Sequence, residues 1–282
     1  MKKYVAIILA ILVFFSDQVI ISYAAGGQDI PEYLNGKRKL LESGIDEATI
    51  QIMRMEDVIK FANTTCSGVE SLYFAYVHNS KKNGSDVEIY LEEEYNTLMR
   101  QKARAAYASN EETYSWIKLT ISSHHVENDR YIIMCRYNWL NQPILMCEDI
   151  VALTFDSRIV AQAGTGAAMF SYRDAEGKPH VDDYVDEVIY SGSGVYFEID
   201  FPEIEDGEEI TNIHGYLLTY ADVNTLSGND VSFNNWAYYA HMTNPFSFSY
   251  SVSFPIGGSF TITPSASFNI ADVGLLTTHE VE

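Results

Sequence analysis

The most concentrated chemical groups in this sequence are carboxylates. The run from Glu198 to Glu209 holds seven acidic side chains in twelve positions. Carboxylate oxygens are the ligands that Ca²⁺ prefers, so the run predicts a weak calcium site between two strands. The candidate ligands are Asp200, Glu203, Glu205 and Asp206. A solvated acidic loop explains the same run equally well, and no other cofactor is predicted.

A second acidic stretch, Asp222 to Gly228, begins like a calcium-binding loop but departs from the pattern. Its fifth position is Leu226, its glycine comes one residue late, and its twelfth position is Phe233 instead of a glutamate. An EF-hand site is therefore not expected.

The histidines do not have the spacing of a zinc site. His124 and His125 are adjacent, and on a strand their side chains point to opposite faces. No HExxH motif is present. His241 follows two tyrosines and is predicted to be a buried, hydrogen-bonded histidine.

The sequence contains no nucleophile motif. In Ser191–Gly194 the glycines are adjacent to Ser193, whereas a nucleophile elbow needs them two residues away. Gly164-Thr165-Gly166 lacks the third glycine of a dinucleotide loop. No catalytic residue is predicted, although a hydrolase site assembled from distant residues leaves no spaced motif.

An aromatic and amide cluster near the C-terminus offers binding chemistry instead. Aromatic rings provide contact area with a polar handle, which suits recognition of a glycan or a protein. The candidate ligand-binding residues are Asn235, Trp236, Tyr238 and Tyr239. The alternative is that these rings fill the core.

The three cysteines leave a disulfide open. Cys135 and Cys147 lie symmetrically about Asn141, and a hairpin turning there would place them opposite each other. The alternative is that Cys135 is an ordinary buried residue, because it alternates with Tyr137 and Trp139. Cys66 has no assigned partner in either case.

The N-terminus predicts export. Lys2 and Lys3 precede an apolar run that ends at Phe15, and Ser22-Tyr23-Ala24 supplies a small-x-small cleavage pattern. We therefore expect a signal peptide over 1–24, a helical subdomain over 25–65 and a β-rich domain over 66–282. The mature protein is expected outside the cell or in the cell envelope.

Two helices are predicted in the N-terminal subdomain. Gly44 is placed to end the first helix as a C′ residue, and Asp46 to cap the second. Ile45 and Ile50 have the spacing of a hydrophobic staple, and the apolar stripe continues to Phe61. A further helix is predicted over Val87–Tyr107, with acidic residues toward its start and basic residues toward its end.

From Thr113 the apolar period changes from 3.6 to 2, which predicts strands. One hairpin is expected to turn at Val126–Asp129. Phe246 to Phe254 alternates strictly with serine and predicts a second hairpin with the segment up to Ile270. Several short strands with turn signals predict a mainly β (α+β) chain, an antiparallel sandwich with a small helical subdomain.

Charge excludes some partners. The chain has a formal charge of −21, which repels nucleic-acid phosphates and anionic lipid. Membrane insertion of the C-terminal hairpin is a third functional possibility, because its strands approach the length that spans a bilayer. Pro264 and the ordinary alternation of a sandwich hairpin argue against it.

Four segments together resemble a group of uncharacterised secreted β-rich proteins of Gram-positive bacteria. They are GIDEATIQIMRMEDVIKFA (44–62), YIIMCRYNWLNQP with a following ED (131–149), SGSGVYFEIDFPE (191–203) and WAYYAHM (236–242). The resemblance implies a single exported domain of β-rich type and transfers no activity, ligand or site residue. We expect a non-catalytic protein that binds an extracellular protein or a glycan.

Overall fold

The computed structural model describes residues 29–79, 84–104, 111–141, 147–202, 209–224, 230–243, 250–255, 258–263 and 268–280. The proposed signal peptide lies outside these residues. The described helices are α1 (Asp29–Glu42), α2 (Glu47–Ile52), α3 (Met55–Lys60) and α4 (Glu92–Arg104). Of these, none is both long and apolar enough to cross a bilayer.

The described strands make the chain mainly β, as predicted. In chain order they are β1 (Thr65–Asn79), β2 (Gly84–Tyr90), β3 (Glu111–Glu127), β4 (Arg130–Trp139), β5 (Glu148–Phe155), β6 (Ile159–Ala161), β7 (Ala167–Arg173), β8 (Pro179–Asp183), β9 (Ile189–Ser191), β10 (Gly194–Asp200), β11 (Thr211–Val223), β12 (Val231–Met242), β13 (Ser251–Ser253), β14 (Thr261–Thr263) and β15 (Phe268–His279).

Two antiparallel sheets pack face to face and enclose the main core, which confirms the sandwich-like fold. Within the described residues, sheet A has the order β2-β1-β3-β4-β11-β7-β8, with β6 also paired to β11. Sheet B has the order β15-β12-β5-β10-β9, and β13 and β14 form a separate small hairpin. Fully buried rings such as Phe155, Phe197 and Tyr137 fill the space between the sheets.

The β3–β4 hairpin turns where the sequence predicts. Glu127 pairs with Arg130, and Asn128 takes the left-handed conformation with φ 48°. Asparagine tolerates that conformation better than most residues. The tight turn fixes the register that pairs Lys118 with Asn138 and Thr120 with Arg136.

Helix caps form as predicted between α1 and α2. Gly44 has φ +76°, and the Ile45 amide donates to the Leu40 carbonyl at 3.0 Å, as in a Schellman motif. Asp46 caps α2, where its Oδ1 accepts the Thr49 amide at 2.8 Å. The predicted continuous stripe beyond α2 is interrupted, because Met53 and Arg54 are extended and separate α2 from α3.

Two other sequence predictions are corrected by the strand pairing. The helix expected over Val87–Tyr107 begins only at Glu92, because residues up to Tyr90 pair with β1. Cys135 and Cys147 are both free, because β4 pairs with β3 and β11 whereas β5 pairs with β10 and β12. Cys135 therefore lies in sheet A, whereas Cys147 directly precedes β5 of sheet B, and the two do not face each other across the predicted hairpin.

The helices α1 to α3 cover part of the outer face of sheet A. Their buried apolar residues pack against Ile132 and Met134 of β4 and against Tyr216 and Leu218 of β11. This packing explains why β4 is buried on both faces instead of alternating. A helical unit this small has no core of its own and depends on the sheet.

A fully buried carboxylate anchors these helices. Asp57 accepts Arg54 Nε at 2.8 Å, Lys60 Nζ at 2.6 Å and the Tyr216 hydroxyl at 3.2 Å. Burial disfavours the charged form of Asp57. The hydrogen bonds and charges of Arg54 and Lys60 outweigh burial and hold the pKa of Asp57 below its usual value.

The C-terminal hairpin covers the outer face of sheet B. Phe254 and Ile262 are buried there, and Ile262 contacts a cluster that includes Ile150 and Ala240 of the sheet. Tyr250 packs edge-on against Phe268 with ring centroids 5.4 Å apart. The apolar residues of the described part of the hairpin are thus used within the protein, whereas 244–249 lie outside the described residues.

Substitution of Asp57 is expected to release the helices. Asp57→Asn leaves Arg54 and Lys60 without their carboxylate, and we expect a loss of about 3 kcal/mol in the free energy of unfolding. Glu56→Gln on the same helix is the matched control, because Glu56 is exposed and, among the described residues, forms an ion pair with Arg54 alone. Its cost should stay below about 1 kcal/mol in urea unfolding. Equal losses in the two variants would contradict the anchoring role.

His124 under the helices should make stability pH-dependent. Its ring packs edge-on against Phe61, and burial followed by the charge of Arg136 lowers its pKa from 6.5 to about 4. The unfolded chain therefore takes up the proton first, and the free energy of unfolding falls between about pH 6.5 and pH 4 by up to ~3 kcal/mol. His124→Gln should flatten this slope in chemical unfolding. An unchanged slope in His124→Gln would refute the assignment.

Candidate functional site

The four aromatic and amide residues predicted to bind a ligand do not share one surface. They lie on β12, where side chains alternate between the two faces. Asn235 and Tyr239 point into the core and are fully buried, whereas Trp236 and Tyr238 lie on the outer face of sheet B and are half-buried. A ligand on either face can therefore meet at most two of the four.

Trp236 and Tyr238 hold the C-terminal hairpin. The Tyr238 ring stacks on Phe260 with centroids 5.0 Å apart, and its hydroxyl donates to the Gly258 carbonyl at 3.4 Å. A Cβ at Gly258 would come within 2.0 Å of the Trp236 ring, and one at Gly274 within 2.9 Å. The glycines leave room for the indole, so Trp236 and Tyr238 pack against protein instead of standing free.

Tyr239 belongs to a buried hydrogen-bond chain. Trp139 Nε1 donates to the Tyr239 hydroxyl at 2.8 Å, and that hydroxyl donates to Asp149 Oδ2 at 2.6 Å. Asp149 Oδ1 lies 2.9 Å from His241 Nδ1, which confirms the predicted buried histidine. Burial raises the pKa of Tyr239 well above its usual value.

This histidine–carboxylate pair lacks the access that a hydrolase needs. Asp149 has no exposed surface, and His241 is 5% exposed. The His241 ring packs edge-on against Trp139 with centroids 5.0 Å apart. The pair therefore organises the interior and does not present a proton-transfer group to a cleft.

The calcium prediction falls mostly outside the described residues. Asp200 is exposed at the end of β10, whereas Glu203, Glu205 and Asp206 lie outside the part of the chain that the structure describes. Within that part, no cluster of three or more His, Cys, Asp or Glu side chains could hold a metal ion.

A groove on the outer face of sheet A is the strongest candidate site. It has a volume of about 290 Å³ and lies beside the N-terminus of α2. Its floor is a two-by-two patch of the β3–β4 hairpin made of Lys118, Thr120, Arg136 and Asn138. Asn138 is exposed and Lys118 partly so, which leaves the groove open to solvent.

One wall is the start of α2 and is fixed by Arg136. Arg136 Nη1 donates to Asp46 Oδ2 at 2.9 Å, and Nη2 donates to the Gly44 carbonyl at 3.3 Å. Burial opposes the charge of Asp46, but the hydrogen bonds from Thr49 and the charge of Arg136 hold its pKa below the usual value. Burial also lowers the pKa of Arg136.

The other side of the groove is aromatic. Tyr73 of β1 stacks on Tyr95 of α4 with ring centroids 4.6 Å apart. Lys118 Nζ lies 4.9 Å above the Tyr73 ring, a cation–π contact. Lys118 forms no ion pair with a described acidic residue, so its charge is available to a ligand.

Sequence reasoning missed this groove although part of its signal was present. The alternation of Lys118 and Thr120 with apolar residues marks one polar face of β3. The hairpin symmetry then places Arg136 and Asn138 beside them. What the sequence could not show is that α2 and the Tyr73–Tyr95 stack border this patch without covering it.

No protein-family model and no curated protein matches the sequence. Solved structures that match include domains of three bacterial proteins, two of which are surface proteins. The collagen binding subdomain of Enterococcus faecalis ACE matches at 8% identity and a TM-score of 0.28, over 52% of this chain and 88% of that one. The collagen binding domain of Erysipelothrix rhusiopathiae RspB matches at 8% identity and a TM-score of 0.29, over 63% of this chain and 56% of that one.

The C-terminal domain of the Streptococcus agalactiae polypeptide BspA matches at 6% identity and a TM-score of 0.30, over 77% of this chain and 80% of that one. TM-scores this low do not establish a common fold. The assignment of a function therefore starts from the residues of the groove.

Proposed function

We propose that this chain is an exported, non-catalytic binding module of the cell envelope or extracellular space, and that its ligand occupies the groove on sheet A. The observation that carries the proposal is the two-by-two floor patch. It presents charged and hydrogen-bonding side chains on paired strands, which hold them more rigidly than a loop would. Export is part of the proposal and rests on the N-terminal sequence.

The chemistry of the groove favours binding over catalysis. Its described lining contains no histidine, cysteine or serine. Its one carboxylate, Asp46, is already engaged by Thr49 and Arg136. General acid–base catalysis most often uses a histidine or a free carboxylate, and the described lining supplies neither.

The composition of the groove favours a glycan over a protein partner. Thr49, Thr120 and Asn138 supply hydroxyl and amide groups, and Leu140 is the one aliphatic side chain in its described lining. Protein interfaces concentrate apolar and aromatic anchors at their centre, whereas sugar hydroxyls require donors and acceptors. The volume of about 290 Å³ lies near the lower end for ligand pockets and suits one or two sugar units.

Thermal unfolding with neutral and acidic polysaccharides tests this function. A ligand at about a hundred times its Kd adds roughly 2.7 kcal/mol, and each kcal/mol raises the Tm of a domain this size by roughly 2–4 °C. Asn138→Trp places a large ring on the exposed floor of the groove and should abolish the shift. We expect the unliganded Tm to stay close to that of the parent protein.

Asn224→Trp is the matched control, because Asn224 is exposed and follows β11 at the opposite end of sheet A. It should keep the full ligand-induced shift. If no polysaccharide raises the Tm, or if Asn138→Trp responds like the parent protein, the groove is not a glycan-binding site.

A further inference from the structure

We propose that the groove recognises the carboxylate of an acidic sugar, held between the ammonium of Lys118 and the guanidinium of Arg136. This inference rests on the proposed function and names the ligand class of the same site. A groove of this kind binds uronic-acid-containing glycans in preference to neutral ones.

The local charge of the groove is opposite to that of the whole protein. Its described lining holds two cations, Lys118 and Arg136, and one anion, Asp46. The ion pair between Asp46 and Arg136 leaves the charge of Lys118 without a carboxylate partner among the described residues. In a chain of formal charge −21, a cation without an acidic neighbour marks a place where an external anion is favoured.

Arg136 is pre-organised for this task. The side chain is buried, and both terminal nitrogens are held by Asp46 and by the Gly44 carbonyl. Its Nε is buried and has no hydrogen-bond partner within the described residues. A fixed guanidinium loses little side-chain entropy on binding. Its charge is shared with Asp46, so the uncompensated positive charge in the described lining is that of Lys118.

The neutral groups around the two cations suit the rest of a sugar ring. Thr120 Oγ1 lies 2.9 Å from Ser71 Oγ, and Thr49 Oγ1 donates to Asp46 at 3.0 Å, so each threonine hydroxyl keeps acceptor capacity. Exposed Asn138 adds an amide beside Lys118. Of these groups, Asn138 is the one exposed to a sugar hydroxyl, because Thr49 and Thr120 are buried.

Matched ligands provide the decisive experiment. Binding of the purified protein to hyaluronan tetrasaccharide and to polygalacturonate oligomers is measured by calorimetry, each beside its carboxyl-reduced, neutral form. We expect at least one acidic form to bind, and its reduced form to bind at least about tenfold more weakly, because a charge-assisted hydrogen bond is lost. Raising the salt concentration should weaken binding of the acidic form alone.

Variants of Lys118 give the second arm. Lys118→Ala should weaken binding of the acidic glycan at least about tenfold and weaken binding of the reduced form by a clearly smaller factor. Lys118→Arg should retain binding of the acidic form. Lys178→Ala is the control, because Lys178 is exposed in the turn before β8. Because the comparison of acidic and reduced ligands uses the unaltered protein, a folding defect in a variant cannot mimic the result.

Three outcomes overturn the inference. If the acidic and reduced forms bind with equal affinity and Asn138→Trp abolishes the binding of both, recognition of the carboxylate is refuted and the proposed function stands. Failure of every glycan, acidic or neutral, refutes both. If polyglutamate binds, no acidic glycan does, and Lys118→Ala abolishes the polyglutamate binding, the groove is assigned to an acidic protein partner.

Discussion

The ion pair between Arg136 and Asp46 joins the two parts of this protein and shapes its groove. Asp46 caps α2 through the Thr49 amide and also accepts the guanidinium of Arg136 from β4. One carboxylate therefore sets both where the helix begins and how far it stands from the sheet. Asp57 of α3 is fully buried and accepts a hydrogen bond from the hydroxyl of Tyr216 on β11, which fixes α3 to sheet A. The helices, which are too short to be stable alone, take their position from these contacts.

A ligand can bind only where the outer face of a sheet is not covered by other segments of the chain. Helices α1 to α3 cover part of the outer face of sheet A, and the C-terminal hairpin covers part of that of sheet B. Where the outer face of a strand is covered, its outward-facing residues are apolar and offer no recognition chemistry. The polar patch on β3 and β4 lies at the border of the helical cover. Its side chains are therefore both held in place and reachable from solvent.

Local signals were sufficient for much of the fold. The glycine at position 44, the cap at Asp46 and the turn at Asn128 each act over a few residues, and each forms as predicted. The bridge between Cys135 and Cys147 does not, because equal spacing about Asn141 carries no information on which sheet each strand joins. Alternation along β12 already places Asn235 and Tyr239 on one face and Trp236 and Tyr238 on the other. Which face of β12 or β3 stays open depends on segments far away in sequence, and alternation alone cannot distinguish a covered face from an open one.

Chemical-shift mapping of the ligand contacts tests directly whether the groove on sheet A is the binding site. Backbone amide shifts are recorded by NMR while the polysaccharide with the largest thermal effect is added. We expect the amides of Lys118, Thr120 and Asn138 to shift together with a single affinity, while those of Trp236 and Tyr238 stay unchanged. Shifts confined to Trp236, Tyr238 and the covering hairpin would contradict this expectation and return the site to sheet B.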